Sequence, residues 1–164
     1  MEVRMARLIS FLISSLTALS SLHPIPASGA ESGTPRAIIA VWEYEAYRYR
    51  GHEIPPTDPN MIMRFQFRED GTDVLTWRQK DTKEFCQRQA VYVVRDTVIE
   101  ETVKWVNPGN SPSCAGDPNM VLNSKSEFVY RVRDGRLEVD AALGDDTLTY
   151  LWKQILLPNM RRTT

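Results

Sequence analysis

From residue 38 onward, apolar and polar positions alternate with a period of two, and no long segment carries helical spacing. Trp42, Tyr44 and Ala46 alternate with Glu43, Glu45 and Tyr47, which predicts a first strand. Met61, Met63, Phe65 and Phe67 alternate with Ile62, Arg64, Gln66 and Arg68 in a second. Glu69-Asp70-Gly71-Thr72 then reads as a hairpin turn in which glycine supplies the positive φ. A third strand runs to about Gln79 with Leu75 and Trp77 on one face. After Asp81-Thr82-Lys83 a fourth strand, Phe85 to Val94, carries Cys86 and Tyr92. Its inner face is left open, because Val91 and Val93 compete with Tyr92 and Val94. Asp96-Thr97 leads into a fifth strand with Ile99, Glu101, Val103 and Trp105 on one face.

A polar loop follows, from Asn107-Pro108-Gly109 to Asp117-Pro118-Asn119, with Cys114 inside it. Its three prolines and two glycines cannot continue a strand. Strand six carries Phe128, Tyr130 and Val132 and turns at Asp134-Gly135. Strand seven carries Leu137, Val139, Ala141 and Leu143, and Gly144-Asp145-Asp146 turns it into strand eight, with Leu148, Tyr150 and Trp152. Eight consecutive antiparallel strands, each with one apolar face and no helix to cover them, predict an all-β up-and-down meander closed into a barrel. Such a barrel either fills with side chains or holds one small molecule. The inward set is heavy in aromatic residues, Phe128 among them, and the candidate ligand-binding residues are Trp42, Tyr44, Phe65, Phe67, Trp77, Tyr92, Glu101, Trp105, Tyr130, Tyr150 and Trp152. Aromatic residues on inward faces also serve as ordinary core, so the functional reading applies to those near an open end.

The order of these aromatic positions resembles the bacterial lipocalin-like (calycin) domain. The resemblance rests on Trp42 in the first strand, on Phe65-x-Phe67-x-x-x-Gly71 leading into Trp77, on Cys86 six residues before Tyr92, and on the ending Tyr150-x-Trp152. It covers roughly residues 38–155 and is of a divergent kind. Ala40 stands where lipocalins usually carry the glycine of Gly-x-Trp, and the downstream Thr-Asp-Tyr signature is missing. The resemblance implies an eight-stranded barrel whose closed end is plugged by Trp42.

The N-terminus reads differently. Arg4 and Arg7 precede an uncharged stretch, Leu8 to Leu22, followed by Pro24, Pro26 and the small residues Ala27-Ser28-Gly29-Ala30. That is the layout of a secretory signal with cleavage near Ala30. The alternative, a membrane anchor, needs about 20 apolar residues, more than this run supplies. The expected organisation is a signal peptide over 1–30, a barrel over 31–155 and a C-terminal tail over 156–164, in a secreted or periplasmic protein. Without residues 1–30 the chain keeps 18 basic and 20 acidic residues. The near-neutral balance, with a pI near 6.1, lacks the basic footprint of a nucleic-acid binder. In an oxidising compartment Cys86 and Cys114 are most simply one disulfide, with two free thiols as the alternative.

Little points to catalysis. His52, the one histidine beyond residue 30, lies in Gly51-His52-Glu53-Ile54-Pro55, which reads as an exposed loop. Asp70-Gly71-Thr72-Asp73 and Gly144-Asp145-Asp146 look like calcium loops but lack the EF-hand spacing, and read as hairpin turns. No cofactor or metal is implied. Glu101 breaks the apolar face of its strand, where a bare carboxylate is costly. It either pairs with an inward arginine such as Arg88 or Arg131, orients a polar group of a ligand, or turns to solvent at a bulge. Gln87 and Gln89 raise the same question if the fourth strand faces the other way. The expected function is non-enzymatic binding of a small apolar molecule in the barrel interior. The alternatives are an inhibitor or partner-binding barrel that works through its loops, and an oligomeric structural component. An open apolar cavity favours the first; a filled core beneath a rigid 107–119 loop favours partner binding.

Overall fold

The computed structural model describes residues 36–155. The expected signal peptide (1–30) and tail (156–164) lie outside the described residues. Nine strands follow in order: β1 Ala40–Tyr49, β2 His52–Ile54, β3 Met61–Phe67, β4 Thr72–Gln79, β5 Phe85–Arg95, β6 Val98–Val106, β7 Lys125–Arg133, β8 Arg136–Leu143 and β9 Asp146–Ile155. From β3 to β9 each strand pairs antiparallel with the next, and β1 pairs with both β3 and β9. The ring therefore closes on eight strands, as the meander predicts, with β2 outside it, paired with the end of β1 that β3 does not reach, Tyr47 to Tyr49.

β2 is a correction to the loop reading of 51–55. Arg50 and Gly51 both take positive φ (49° and 81°), so the chain folds straight back and His52 pairs with Tyr49. Pro55-Pro56 then ends the pairing. His52 is exposed, at the start of this ribbon. Asp73 is a second correction. It was expected in the turn, but it belongs to β4, paired with Phe67 and Ala90, and is fully buried. The turn itself is shorter. Gly71, at φ 75°, closes it by donating to the Arg68 carbonyl, and Arg68 in turn donates to Thr72.

Two bulges re-aim side chains. On β1 the register shifts between Tyr44 and Ala46, so Tyr44 opposes Trp152 while Ala46 opposes Leu151. Glu45 is the extra residue, and Ala46 leaves the inner face that plain alternation assigns it. On β6 the partners of Gln89 and Ala90 are Trp105 and Val103, which makes Lys104 the extra residue. Ile99, Glu101 and Val103 stay inside, whereas Trp105 swings to the outer face beside Gln87 and Gln89 and is 43% exposed. The inward placement expected of Trp105 is thus wrong. β5 resolves its own ambiguity. Cys86, Arg88, Ala90, Tyr92 and Val94 are buried, and Val91 and Val93 face out.

One end of the barrel is closed. A short 3-10 turn, Arg36–Ile38, lies next to it, and the Trp42 indole nitrogen donates to the Ile38 carbonyl at 2.9 Å. Trp42, Phe67, Ile99 and Leu137 are core residues there, all at most 2% exposed. At the other end the loop between β6 and β7 bends back over β5. Ser111 exchanges hydrogen bonds with the backbone of Phe85, and Asn110 receives the amide of Gln87. The loop is fastened by a Cys86–Cys114 disulfide whose Cα atoms are 5.7 Å apart, and Cys114 and Met120 are buried. Closing a loop of 28 residues is worth about 3–4 kcal/mol by the chain-entropy account. Reduction is expected to lower the melting temperature correspondingly and to raise amide exchange over 107–124 before that of the strands. Equal protection of loop and strands after reduction would count against this.

Candidate functional site

The inner face does not fill the barrel. Toward the open end a cavity of about 650 Å³ remains, within the range typical of small-molecule sites. Its wall is built strand by strand from alternating positions: Met61, Met63 and Phe65 on β3, Leu75 and Trp77 on β4, Phe128 on β7, Val139 and Ala141 on β8, and Tyr150 and Trp152 on β9. Asp117 and Asn119, from the disulfide-tied loop, form part of the mouth.

Beneath this apolar wall lies a charged cluster. Arg88 is 1% exposed, and its guanidinium reaches two buried carboxylates, donating from Nη1 to Asp73 and from Nη2 to Glu101 Oε1 at 2.7 Å. Ser126 donates to the same Glu101 oxygen at 2.8 Å. The guanidinium also stacks 5.3 Å from the centre of the Phe65 ring. Of the three fates open to Glu101, pairing with Arg88 is the one adopted. Arg131 lies elsewhere, bound to Glu138 and Asp140. Asp73 Oδ2, Arg88 Nε, Glu101 Oε2 and the Trp152 indole nitrogen are buried without a hydrogen-bond partner. Arg88 and Glu101 both line the cavity.

Desolvation pushes the Asp73 carboxyl up to about 7, against the pull of Arg88 and with the push of Glu101. A carboxyl raised in the folded state makes no demand on stability below its ordinary value of 3.8 and costs increasingly as pH climbs to about 7. Other carboxylates act in the opposite sense. Glu53, hydrogen-bonded by Arg48, and Asp146, hydrogen-bonded by Arg50, are held below their usual range, so their contribution fades as pH falls through the acid region. The melting temperature is therefore expected to peak on the acid side of neutrality, to fall as pH climbs to about 7 and to level off above it. Asp73→Asn should flatten that alkaline limb. An unchanged slope in the variant would refute the assignment.

The chain is similar to a lipocalin-like protein from Bacteroides uniformis. The two share 13% identity over 73% of this chain and 99% of that one, with a TM-score of 0.49. No protein-family model matches the chain, and no curated protein matches it. The closed ring of eight strands stands on the chain's own pairings.

The candidate residues fall in four places. Phe65, Trp77, Glu101, Tyr150 and Trp152 come together around the cavity, where Phe128, an inward residue outside the candidate set, joins them. Trp42, Phe67, Tyr92 and Tyr130 lie in the buried core instead; the Tyr92 hydroxyl donates to the Arg68 carbonyl at 2.7 Å. Tyr44 packs edge-on against both Tyr150 and Trp152 and lines a shallow groove with Tyr47 and Tyr49. Burial, with Tyr150 close by, pushes its hydroxyl up to about 12. Trp105 is outside the barrel interior altogether. Met61 and Met63 were missed as site residues, although they share the odd positions of β3 with Phe65. Asp73 was missed because a turn is the usual place for Asp after Gly.

Proposed function

We propose that the protein is a non-enzymatic carrier, secreted or periplasmic, that holds one small, largely apolar molecule inside the barrel. The observation that carries this reading is the open cavity of about 650 Å³ with aromatic and methionine walls. A barrel built only for rigidity fills that space with side chains. The candidate binding residues are those around it, led by Phe65, Trp77, Tyr150 and Trp152. The disulfide supports an oxidising compartment, and N-terminal sequencing of exported protein is expected to begin close to Glu31.

The test uses N-phenyl-1-naphthylamine, an apolar probe that fluoresces when desolvated. Probe emission should rise on mixing, tryptophan emission should fall, and the melting temperature should climb. At a probe concentration of one hundred times Kd, mass action stabilises the fold by about 2.7 kcal/mol. Ala141→Trp, which places an indole in the cavity wall, should abolish all three effects. Mass spectrometry of ligand extracted from natively purified protein would then identify the cargo. No emission change and no melting shift would remove the carrier reading and leave partner binding through the 107–124 loop in its place.

A further inference from the structure

We propose that the molecule held in this cavity carries a positive charge, an amine on an apolar or aromatic body, and that carboxylates of the same size are turned away. This rests on the carrier reading and specifies the head group. Among the residues lining the cavity Arg88 is the single base. Both of its Nη atoms are committed to Asp73 and Glu101, so its charge is already shared between two carboxylates and Nε alone is left without a partner. The acidic side is not balanced in the same way. Two buried carboxylates share one guanidinium, which leaves the ionised cluster one negative charge in excess. Glu101, 5% exposed and part of the cavity wall, keeps Oε2 without a partner. Nearer the mouth, Asp117 also lines the cavity; its Oδ1 accepts from Asn119, and among the described residues it has no ion-pair partner. Asp140 is the exception, held by Arg131 and Thr149.

The walls favour the same charge. The faces of aromatic rings carry negative electrostatic potential and attract cations within about 6 Å. Trp77, Phe128, Tyr150 and Trp152 offer four such rings around the space. Phe65 already receives one cation, the guanidinium of Arg88. In a partly enclosed apolar site the effective dielectric is low, so an excess of negative charge acts more strongly than at the surface. A carboxylate entering here would meet Glu101 and Asp117, and the one guanidinium present is already shared between two acids.

Three probes of one size separate head group from body: phenylbutylamine, phenylbutanol and phenylbutyrate, titrated calorimetrically into the intact protein at about pH 8, where the amine is charged. The amine should bind at least about tenfold tighter than the alcohol, and the acid most weakly. The variant Asp117→Asn alters only the mouth, so the core keeps its packing. It should reduce the amine's advantage severalfold and leave the alcohol unchanged. An amine no tighter than the alcohol, or a tighter acid, overturns the head-group inference while binding of the naphthylamine probe keeps the carrier reading. Failure of all three together with the naphthylamine overturns both.

Discussion

Replacing Arg88 with Met is expected to cost about 3–5 kcal/mol of folding stability, because it leaves Asp73 and Glu101 facing each other without their shared cation. Both carboxylates are buried, so the protein can relieve the repulsion only by binding protons or by letting water in. That gives the loss a direction in pH. Urea unfolding at about pH 8 should show the full effect, and at about pH 5 a smaller one, since protonated carboxyls no longer repel. The triple variant Arg88→Met, Asp73→Leu, Glu101→Met should recover most of the loss, because an apolar replacement of a whole buried cluster is often neutral or stabilising. A single variant that loses under about 1 kcal/mol at both pH values would contradict the picture of a mutually dependent triad.

Trp42→Ala should cost a similar amount, about 3–5 kcal/mol, for a different reason. Trp42 is 1% exposed, packs in the main core and fixes the 3-10 turn through its indole nitrogen. Removing it empties a large volume at the closed end and strands the Ile38 carbonyl. Trp77 makes the useful comparison. It is only half-buried and faces the cavity, so Trp77→Ala should cost much less stability and weaken probe binding instead. The two variants should separate when melting temperature is set against probe affinity. Equal stability losses would mean that the barrel has no distinct closed and open ends.

The alternation of apolar residues was enough to place the eight strands of the ring, because each strand has one buried face and period two leaves little freedom there. It failed where the backbone inserts a residue. Counting by twos carries Ile99, Glu101 and Val103 correctly inward and then sends Trp105 to the wrong side, since Lys104 adds one step that no residue type announces. Glu45 does the same to Ala46. β5 was ambiguous because valines occupy both faces, and only Arg88 meeting two acids explains why the polar residue is the inner one. The site was legible as an aromatic-lined interior, yet its division into core and cavity was not. Trp42 and Trp152 look alike along the chain, and what separates them is distance from the plugged end.

The ring has a consequence for behaviour at high concentration. An open eight-strand meander would present two long rows of unpaired amides and carbonyls, each a template for stacking onto another copy. Pairing β1 with β9 turns those rows inward on each other. The outermost strand left is β2, three residues long and stopped by Pro55-Pro56, with charged Glu53 at its centre tied to Arg48 and Arg136. So short and interrupted a segment is a poor seed for fibrils. The closed ring therefore carries its own protection against sheet extension, independent of anything held in its cavity.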